Sequence, residues 1–435
     1  MGLKLGYMPT ALGILPVDWE VKPIADLSEF VTSGSRGWAK FYSGAGPLFI
    51  RSQNVRDGRL DFSDSQSVLP PEGSEGSRTR VQCNDLLVTI TGNSVGNVAW
   101  VDRDLGEAYI SQHVGLIRLL DRSLAEFVCL FLAPHSPGNA QILASQSGQS
   151  KPGLNLKNLE EFVVALPSLP ERCAIVTALR DMDALVEELE RFIAKKRDLK
   201  HAAMQQLLTG QTRLPGFTGE WETKTLGELF EFSGGYSASR DQLSTEGYCY
   251  LHYGDIHGAT NTFVDTDSDF QNIPKLDIPL KKVSPKSLLD DGDVVFVDAS
   301  EDDEGTSRHV VVVNKAAVPF ISGLHTIVAK CKTDELSHEY RRYCFRTKAI
   351  QDQFRFYAVG TKVSGISKTN IPKLRLPVPS VPEQTAIAAV LMDLDAELIA
   401  LDQRLTKTRD LKQAMMQELL TGRTRLVAAQ EVAYA

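Results

Sequence analysis

The sequence predicts an α+β protein of two similar globules separated by two long antiparallel helices that pair as a coiled coil, with pseudo-two-fold symmetry. Three observations predict it. Residues 167–214 and 379–426 align without a gap at an offset of 212, about half of the positions being identical. Each copy reads as one uninterrupted helix with a single apolar stripe, which calls for a partner helix. Each copy also follows a stretch of mixed strand and helix signals long enough to bury its own core. The expected boundaries are a first globule over 1–165, a first long helix over 166–213, a second globule over 214–377, a second long helix over 378–426 and a tail over 427–435.

Taken in order, each half opens on a tryptophan motif. Trp19-Glu20, Lys22 and Leu27 are matched by Trp221-Glu222, Lys224 and Leu229. Tryptophan is mostly buried in folded chains, so each is expected to pack at the entrance of its globule. A Gly- and Ser-rich loop follows, TSGSRGWAKFYSGAG in the first half and SGGYSASRDQLSTEG in the second. Then come strands ending in turns at 47–58 and 248–258, which place Asn54-Val55 over Asp255-Ile256. β-Branched runs bounded by Gly, Asn and Asp predict hairpins over 84–102 and 291–314. Third strands follow at 109–119 and 320–331, then helices around 123–134 and 337–357. Alternation of Phe162, Val164 and Leu166, and of Leu374, Leu376 and Val378, predicts a last strand in each half.

The repeated stretch has proline in its first turn (Pro170, Pro382), acidic residues at its positive end (Glu171, Glu383) and a glycine stop (Gly210, Gly422). About 40 residues of helix span roughly 60 Å. The apolar stripe expected to pack runs through Ile175, Leu179, Met182, Leu185, Leu189, Phe192 and Leu199, and through Ile387, Leu391, Leu394, Leu398, Leu401, Leu405 and Leu411. Two equal copies in one chain sit at high effective concentration, so they are expected to pair with each other. Antiparallel pairing would put a globule at either end of a rod.

Composition narrows the function classes. No apolar run approaches the roughly 20 residues that cross a bilayer, and the N-terminus lacks the charge and apolar core of a signal peptide. The six cysteines are scattered without metal-ligand spacing, which fits reduced thiols in the cytoplasm. The net charge of -8 argues against non-specific coating of nucleic acid. No P-loop, Rossmann turn or HExxH motif is present, and no catalytic, cofactor or metal residue is assigned. Asp198 and Lys200 lie two apart on a helix and face different sides. The acidic loop Asp298–Glu304 reads as a solvated hairpin tip, and His113 and His325 as half-buried strand histidines with structural roles.

The matched halves differ in their polar loops. The first offers Arg36, Lys40, Arg51, Asn54, Arg56, Arg78 and Arg80; the second offers Tyr236, Arg240, His252, Tyr253, Asp255 and Arg308. Arginine reads guanine bidentately, Asn and Gln read adenine, and small polar groups and amides hold phosphates. The loops containing Gln149, Ser150 and Lys151, and Thr361 and Lys362, suit a close approach to a DNA backbone.

At this point the chain resembles the specificity subunit of type I restriction–modification enzymes. The residues that carry the resemblance are Leu15-Pro16, Trp19-Glu20, Gly216, Phe217, Gly219 and Trp221, both PxxPE helix starts, both LLTG ends and Gly292, Asp293 and Phe296. Arg172 stands where the family has Gln. The resemblance implies two target-recognition domains, each reading one half of a bipartite, asymmetric site in double-stranded DNA, with the helical spacer setting the gap. It implies partners: two methyltransferase subunits that carry S-adenosylmethionine, and restriction subunits that use ATP and Mg. The chain itself would be non-catalytic. The competing readings are a stand-alone DNA methyltransferase or nuclease with a divergent site, and a coiled-coil scaffold with no role on DNA.

Overall fold

The computed structural model describes residues 5–70, 74–146, 153–259, 261–300, 307–360 and 364–426. Among them no helix is long and apolar enough to cross a membrane. The chain forms two compact units. One comprises the described residues of Met1–Glu190 and Gln403–Ala435, the other those of Arg191–Asp402.

In each unit the entrance and exit strands of the globule pair with each other. Glu20–Pro23 runs antiparallel to Val163–Leu166 with Lys22 opposite Val164. Glu222–Thr225 runs antiparallel to Arg375–Val378 with the equivalent Lys224 opposite Leu376. This pairing brings the start of each long helix back to the tryptophan motif.

The predicted hairpins are the centre of each globule. In the first unit the sheet order is Ser28–Ser33, Val114–Leu119, Leu86–Thr89, Val98–Trp100, all antiparallel. In the second it is Phe230–Gly234, Thr326–Cys331, Val294–Val297, His309–Val313, with Phe263–Asp265 added in parallel at the edge. The aspartate before each central strand anchors it. Asp85 is fully buried and takes two hydrogen bonds from Arg118, at 2.8 and 2.7 Å. Asp293, at the same place in the second unit, takes one from Lys330 at 2.8 Å.

Two expectations are corrected. The third strand is broken in both halves, into Ala108–Ile110 and Val114–Leu119, and into Phe320–Ser322 and Thr326–Cys331. The first piece leaves the main sheet and pairs in parallel with Tyr42–Ile50 or Tyr248–Leu251. Both pieces are buried, so hydropathy hides the turn between them. The helix expected over 337–357 is likewise interrupted, as His338–Arg341, a 3-10 turn Cys344–Arg346, and Lys348–Tyr357. The Thr347 side chain accepts from the Ile350 amide and starts the last piece as a new helix.

The long helices run Leu169–Leu207 and Val381–Leu419. Past their ends Gly210 and Gly422 take positive φ, 70° and 64°. Antiparallel pairing is visible in each unit by itself. In the first, Lys412 bonds Asp183 and Arg409 bonds Glu190 at 2.6 Å. In the second, Lys200 bonds Asp395 and Arg197 bonds Asp402 at 3.0 Å. In each pair of contacts one residue number rises as its partner's falls. The second set is the first transposed by the repeat: Asp183 matches Asp395, Lys200 matches Lys412.

Part of the predicted stripe is displaced. Ile175, Leu179, Leu189, Ile387 and Leu391 are buried, and Met182, Leu394, Leu398 and Leu401 are half-buried. Leu185, Phe192, Leu199 and Leu411 are exposed, at 36%, 42%, 54% and 54%. Following leucines alone drifted off the seam. The seam keeps the 3,4 spacing through 182, 186, 189, 193, 196 and 200, so Ile193 is buried and lysines 196 and 200 occupy seam positions with their charges on facing carboxylates. Leu405 holds the matching buried position on the second helix.

The helix ends complete the cores. Met416, Leu419 and Leu420 join Leu15, Trp19, Ile175 and Leu179 in the first unit; Met204, Leu207 and Leu208 join Leu226, Leu376, Ile387 and Leu391 in the second. Above each core lies a buried carboxylate. Glu171 accepts from the Trp19 indole at 3.2 Å and from Arg425 at 2.8 Å. Glu383 accepts from the Trp221 indole at 3.1 Å and from Arg213 at 2.7 Å. Hydrogen bonds to Glu171, and then to Asp18, hold Arg425 above its ordinary pKa, firmly charged. Where the halves differ, so does the joint. Gln384 is buried, accepts from the Ser337 amide at 2.9 Å and donates to the Glu335 and Pro379 carbonyls, whereas Arg172 is half-buried.

Arg118→Ala strands the Asp85 carboxylate in a dry site and should destabilise the first unit by about 3–5 kcal/mol in chemical denaturation. Lys330→Ala should cost less, because the Lys330 side chain is 25% exposed and solvent already screens its charge. His309, buried between Phe296 and Phe345, is held down to about 4 from an ordinary 6.5, chiefly by desolvation. A depressed histidine contributes stability that is whole above pH 6.5 and lost as pH falls towards 4, up to about 3 kcal/mol. The denaturation midpoint of the second unit should fall over that window, and His309→Leu should flatten the fall.

Candidate nucleic-acid interface

Each globule presents a turn just after the strand that runs parallel to the displaced strand piece. In the first unit, strand Tyr42–Ile50 gives way to a 3-10 turn, Ser52–Asn54. In the second, Tyr248–Leu251 gives way to a short helix, Tyr253–Gly258. The same side-chain cap builds both. Asn54 Oδ1 accepts from the Arg51 amide at 2.9 Å, and Asp255 accepts from the His252 amide at 3.1 Å.

This geometry revises the list of DNA-contacting candidates. Asn54 is buried, and its amide donates to the Asp61 and Asp64 carbonyls at 2.8 and 2.9 Å, so it holds the turn and offers nothing to a base edge. Arg51 is tied to Asp64 at 3.0 Å. His252 is also buried; burial lowers its pKa, and Nδ1 of the neutral ring accepts from the Gly254 amide at 3.0 Å. The side chains these caps leave outermost are their neighbours: Gln53 and Arg56 in the first unit, Asp255 itself and half-buried Tyr253 and His257 in the second.

Arg78 is exposed, but its guanidinium is taken up by the Gly-rich loop. It donates to the Thr32 hydroxyl, to the Ser33 carbonyl at 2.9 Å and to Ser35 at 3.1 Å, bracing the Gly-rich loop. In the second unit Ser287 does the same work with a bond to the Gly234 carbonyl at 2.7 Å. These loops pass tightly over the displaced strand piece. A Cβ on Gly34 would lie 2.2 Å from the Ile110 carbonyl oxygen, and one on Gly235 1.8 Å from that of Gly323. Beyond the brace, Arg36, Lys40, Arg56 and Arg80 are exposed. Tyr236 is held by its backbone, its amide donating to the Ser322 carbonyl at 2.7 Å.

The second unit gathers most of its candidates, Tyr236 apart, into one cluster. Tyr253 packs against His252, with ring centres 4.5 Å apart, and meets His257 and His325 edge-on at 6.1 and 5.5 Å. The Arg240 guanidinium lies beside Gly254, and Arg308 donates to the His257 carbonyl at 2.6 Å. A ring platform flanked by guanidinium groups can stack on bases and attract phosphates. The residue reading missed His257 and misjudged His325. His113 and His325 lie on turns, exposed, not half-buried on strands, because the strand they were placed in is broken there. Gln149, Ser150, Lys151, Thr361 and Lys362 lie outside the described residues, as does most of the acidic loop. Among the described residues no group of His, Cys, Asp and Glu could hold a metal ion.

A pair of substitutions separates frame from surface. Asn54→Ala takes the partner from the Arg51 amide and the Asp61 carbonyl, leaves the Asp64 carbonyl to Arg51 alone, and should destabilise the first unit by about 1–3 kcal/mol. Arg56→Ala should stay within about 0.5 kcal/mol of wild type. Denaturation curves of the two variants check both values.

The profile of the family described as type I restriction modification DNA specificity domain matches the chain twice, over residues 16–197 and 218–408. The putative type I restriction enzyme MjaX specificity subunit of Methanocaldococcus jannaschii is 21% identical over 434 residues, 97% of each chain. The type I restriction enzyme EcoKI specificity subunit of Escherichia coli is 25% identical over 194 residues, 42% of this chain and 40% of that one. Among solved structures, a chain from a study of type I R-M complex assembly and conformational transition superposes with a TM-score of 0.60 at 18% identity, over 94% of this chain and 99% of that one. The HsdS subunit from Thermoanaerobacter tengcongensis superposes at 0.50 and 18% identity, over 96% of this chain and all of that one.

Proposed function

Because the chain belongs to the type I restriction modification DNA specificity family, we propose that its two globules read the two halves of one bipartite DNA site. The chain is a DNA-recognition subunit. The observation that carries the division of labour is the double family match laid over two units of one frame whose outermost turn residues differ. Two readers with different side chains on a shared scaffold suit an asymmetric site. The long helices set the unread gap: successive major-groove faces are about 34–36 Å apart, and helices of 39 residues span roughly 60 Å.

Chemistry on DNA belongs to partners. Two methyltransferase subunits dock on the helical spacer and bring S-adenosylmethionine; restriction subunits bring ATP and Mg. The net charge of -8 fits a subunit whose hold on phosphates is local to the reading faces and shared with partners. Stand-alone methyl transfer or cleavage, and a scaffold without DNA, have no observation in their favour.

Mapping methylated bases in cells that carry the chain with its partners tests this reading. Replacing residues 1–165 with those of a relative should change one half-site only, and lengthening one long helix should change the gap only. Alteration of both half-sites by the first variant would defeat the two-reader assignment.

A further inference from the structure

The duplication supplies an internal control that separates two kinds of DNA contact. Two readers of different half-sites meet different bases but the same phosphates. A surface residue that follows the base sequence is expected to differ between the units, and one that holds the backbone can stay the same.

The reading turns differ at each position beside the caps. Ser52 is matched by Tyr253, Gln53 by Gly254 and Arg56 by His257, in the register set by the Asn54 and Asp255 caps. The adjoining turn at the strand break behaves otherwise. Ser111 and Gln112 are matched by Gly323 and Leu324, yet His113 is matched by His325. The register is secure: Val114 lies opposite Thr89, Thr326 opposite Val297, and the two histidine carbonyls accept from the Ile90 and Asp298 amides at 2.9 and 3.1 Å.

Folding gives no reason for this identity. Both rings are exposed, so neither fills a core. Backbone conformation does not select histidine either, since His325 has a φ of 58° and His113 is not left-handed. Each ring is nevertheless aimed. His113 Nδ1 meets the Thr91 hydroxyl, and its Nε2 lies 3.1 Å from the exposed Gln112 amide. His325 Nδ1 lies 3.3 Å from Asp298, with the ring edge-on to Tyr253 in the candidate platform.

We propose that His113 and His325 are one duplicated phosphate contact, through which each globule holds the DNA backbone in the same register while its neighbouring turn reads bases. The proposal rests on the DNA-recognition reading. It assigns to the two histidines positioning without sequence preference, and to positions 52, 53 and 56 and 253, 254 and 257 the preference itself.

The test uses the full chain, alone and with its methyltransferase partners, against a library of randomised duplexes and one unrelated duplex. His113→Asn and His325→Asn suit both backbones, because asparagine tolerates positive φ. Each should weaken binding to the selected and the unrelated duplex by the same factor, about threefold to tenfold, with the selected bases unchanged. His113→Arg and His325→Arg should restore affinity, again without new bases; they also decide the matter if an asparagine variant melts early. A changed base preference, or unchanged affinity in both asparagine variants, overturns the proposal. A wild-type chain that selects no sequence under either condition would instead defeat the DNA-recognition reading itself.

Discussion

Glu171 and Glu383 each sit in the first turn of a long helix, buried beneath a tryptophan and bonded to an arginine that arrives from the end of a long helix. A carboxylate removed from water must be fully partnered, and here the groups that meet come from three places in the chain. For Glu171 they are the entrance motif, the helix's own amino end and residue 425. The interaction therefore forms only when entrance strand, exit strand and returning helix are all in place. The methionines and leucines five to nine residues before each arginine enter the same core, so the apolar and charged contacts support one arrangement. The identical grouping in both units explains why the tryptophan motif, the PxxPE start and the end of the repeat recur together.

On that frame the globules separate what must be constant from what can vary. The constant parts hold the backbone in shape: Asp85 with Arg118 and Asp293 with Lys330 at the central strands, the hydrogen bonds by which Asn54 and Asp255 cap their turns, and the close passage of Gly34 and Gly235 over the neighbouring backbone. The variable parts are the side chains those constraints push outward. Rings and guanidinium groups cluster in the second unit, while Gln53 and Arg56 at a 3-10 turn mark the first. A reader built this way can change its outer residues with little effect on stability, because the hydrogen bonds that shape the turn come from elsewhere.

Much of this was legible in the residues. The duplication, the presence of the long helices, the hairpins and the last strands all rest on local signals: proline and glycine at helix ends, periodicity, β-branched runs; the helices themselves stop at Leu207 and Leu419, short of 213 and 426. The site was less legible. Arg51, Asn54, Arg78 and His252 have the chemistry of nucleic-acid contacts but are engaged within the chain, by partners such as Asp64 and Ser33 that no spacing rule indicates. His257 and His325 were passed over because their importance lies in what surrounds them. The apolar stripe went astray at Leu185, Leu199 and Leu411, since a lysine stem can occupy a seam position when a carboxylate faces it.

The sequence by itself therefore determined the duplicated architecture, the family and the class of function, because repeats and helix signals are properties of neighbouring residues and survive without coordinates. Tertiary structure alone decided which polar groups face outward, where the third strand breaks and which face of each long helix is covered. Those outcomes turn on hydrogen-bond partners and packing neighbours far away in the chain, and a buried polar group looks the same in sequence as an exposed one.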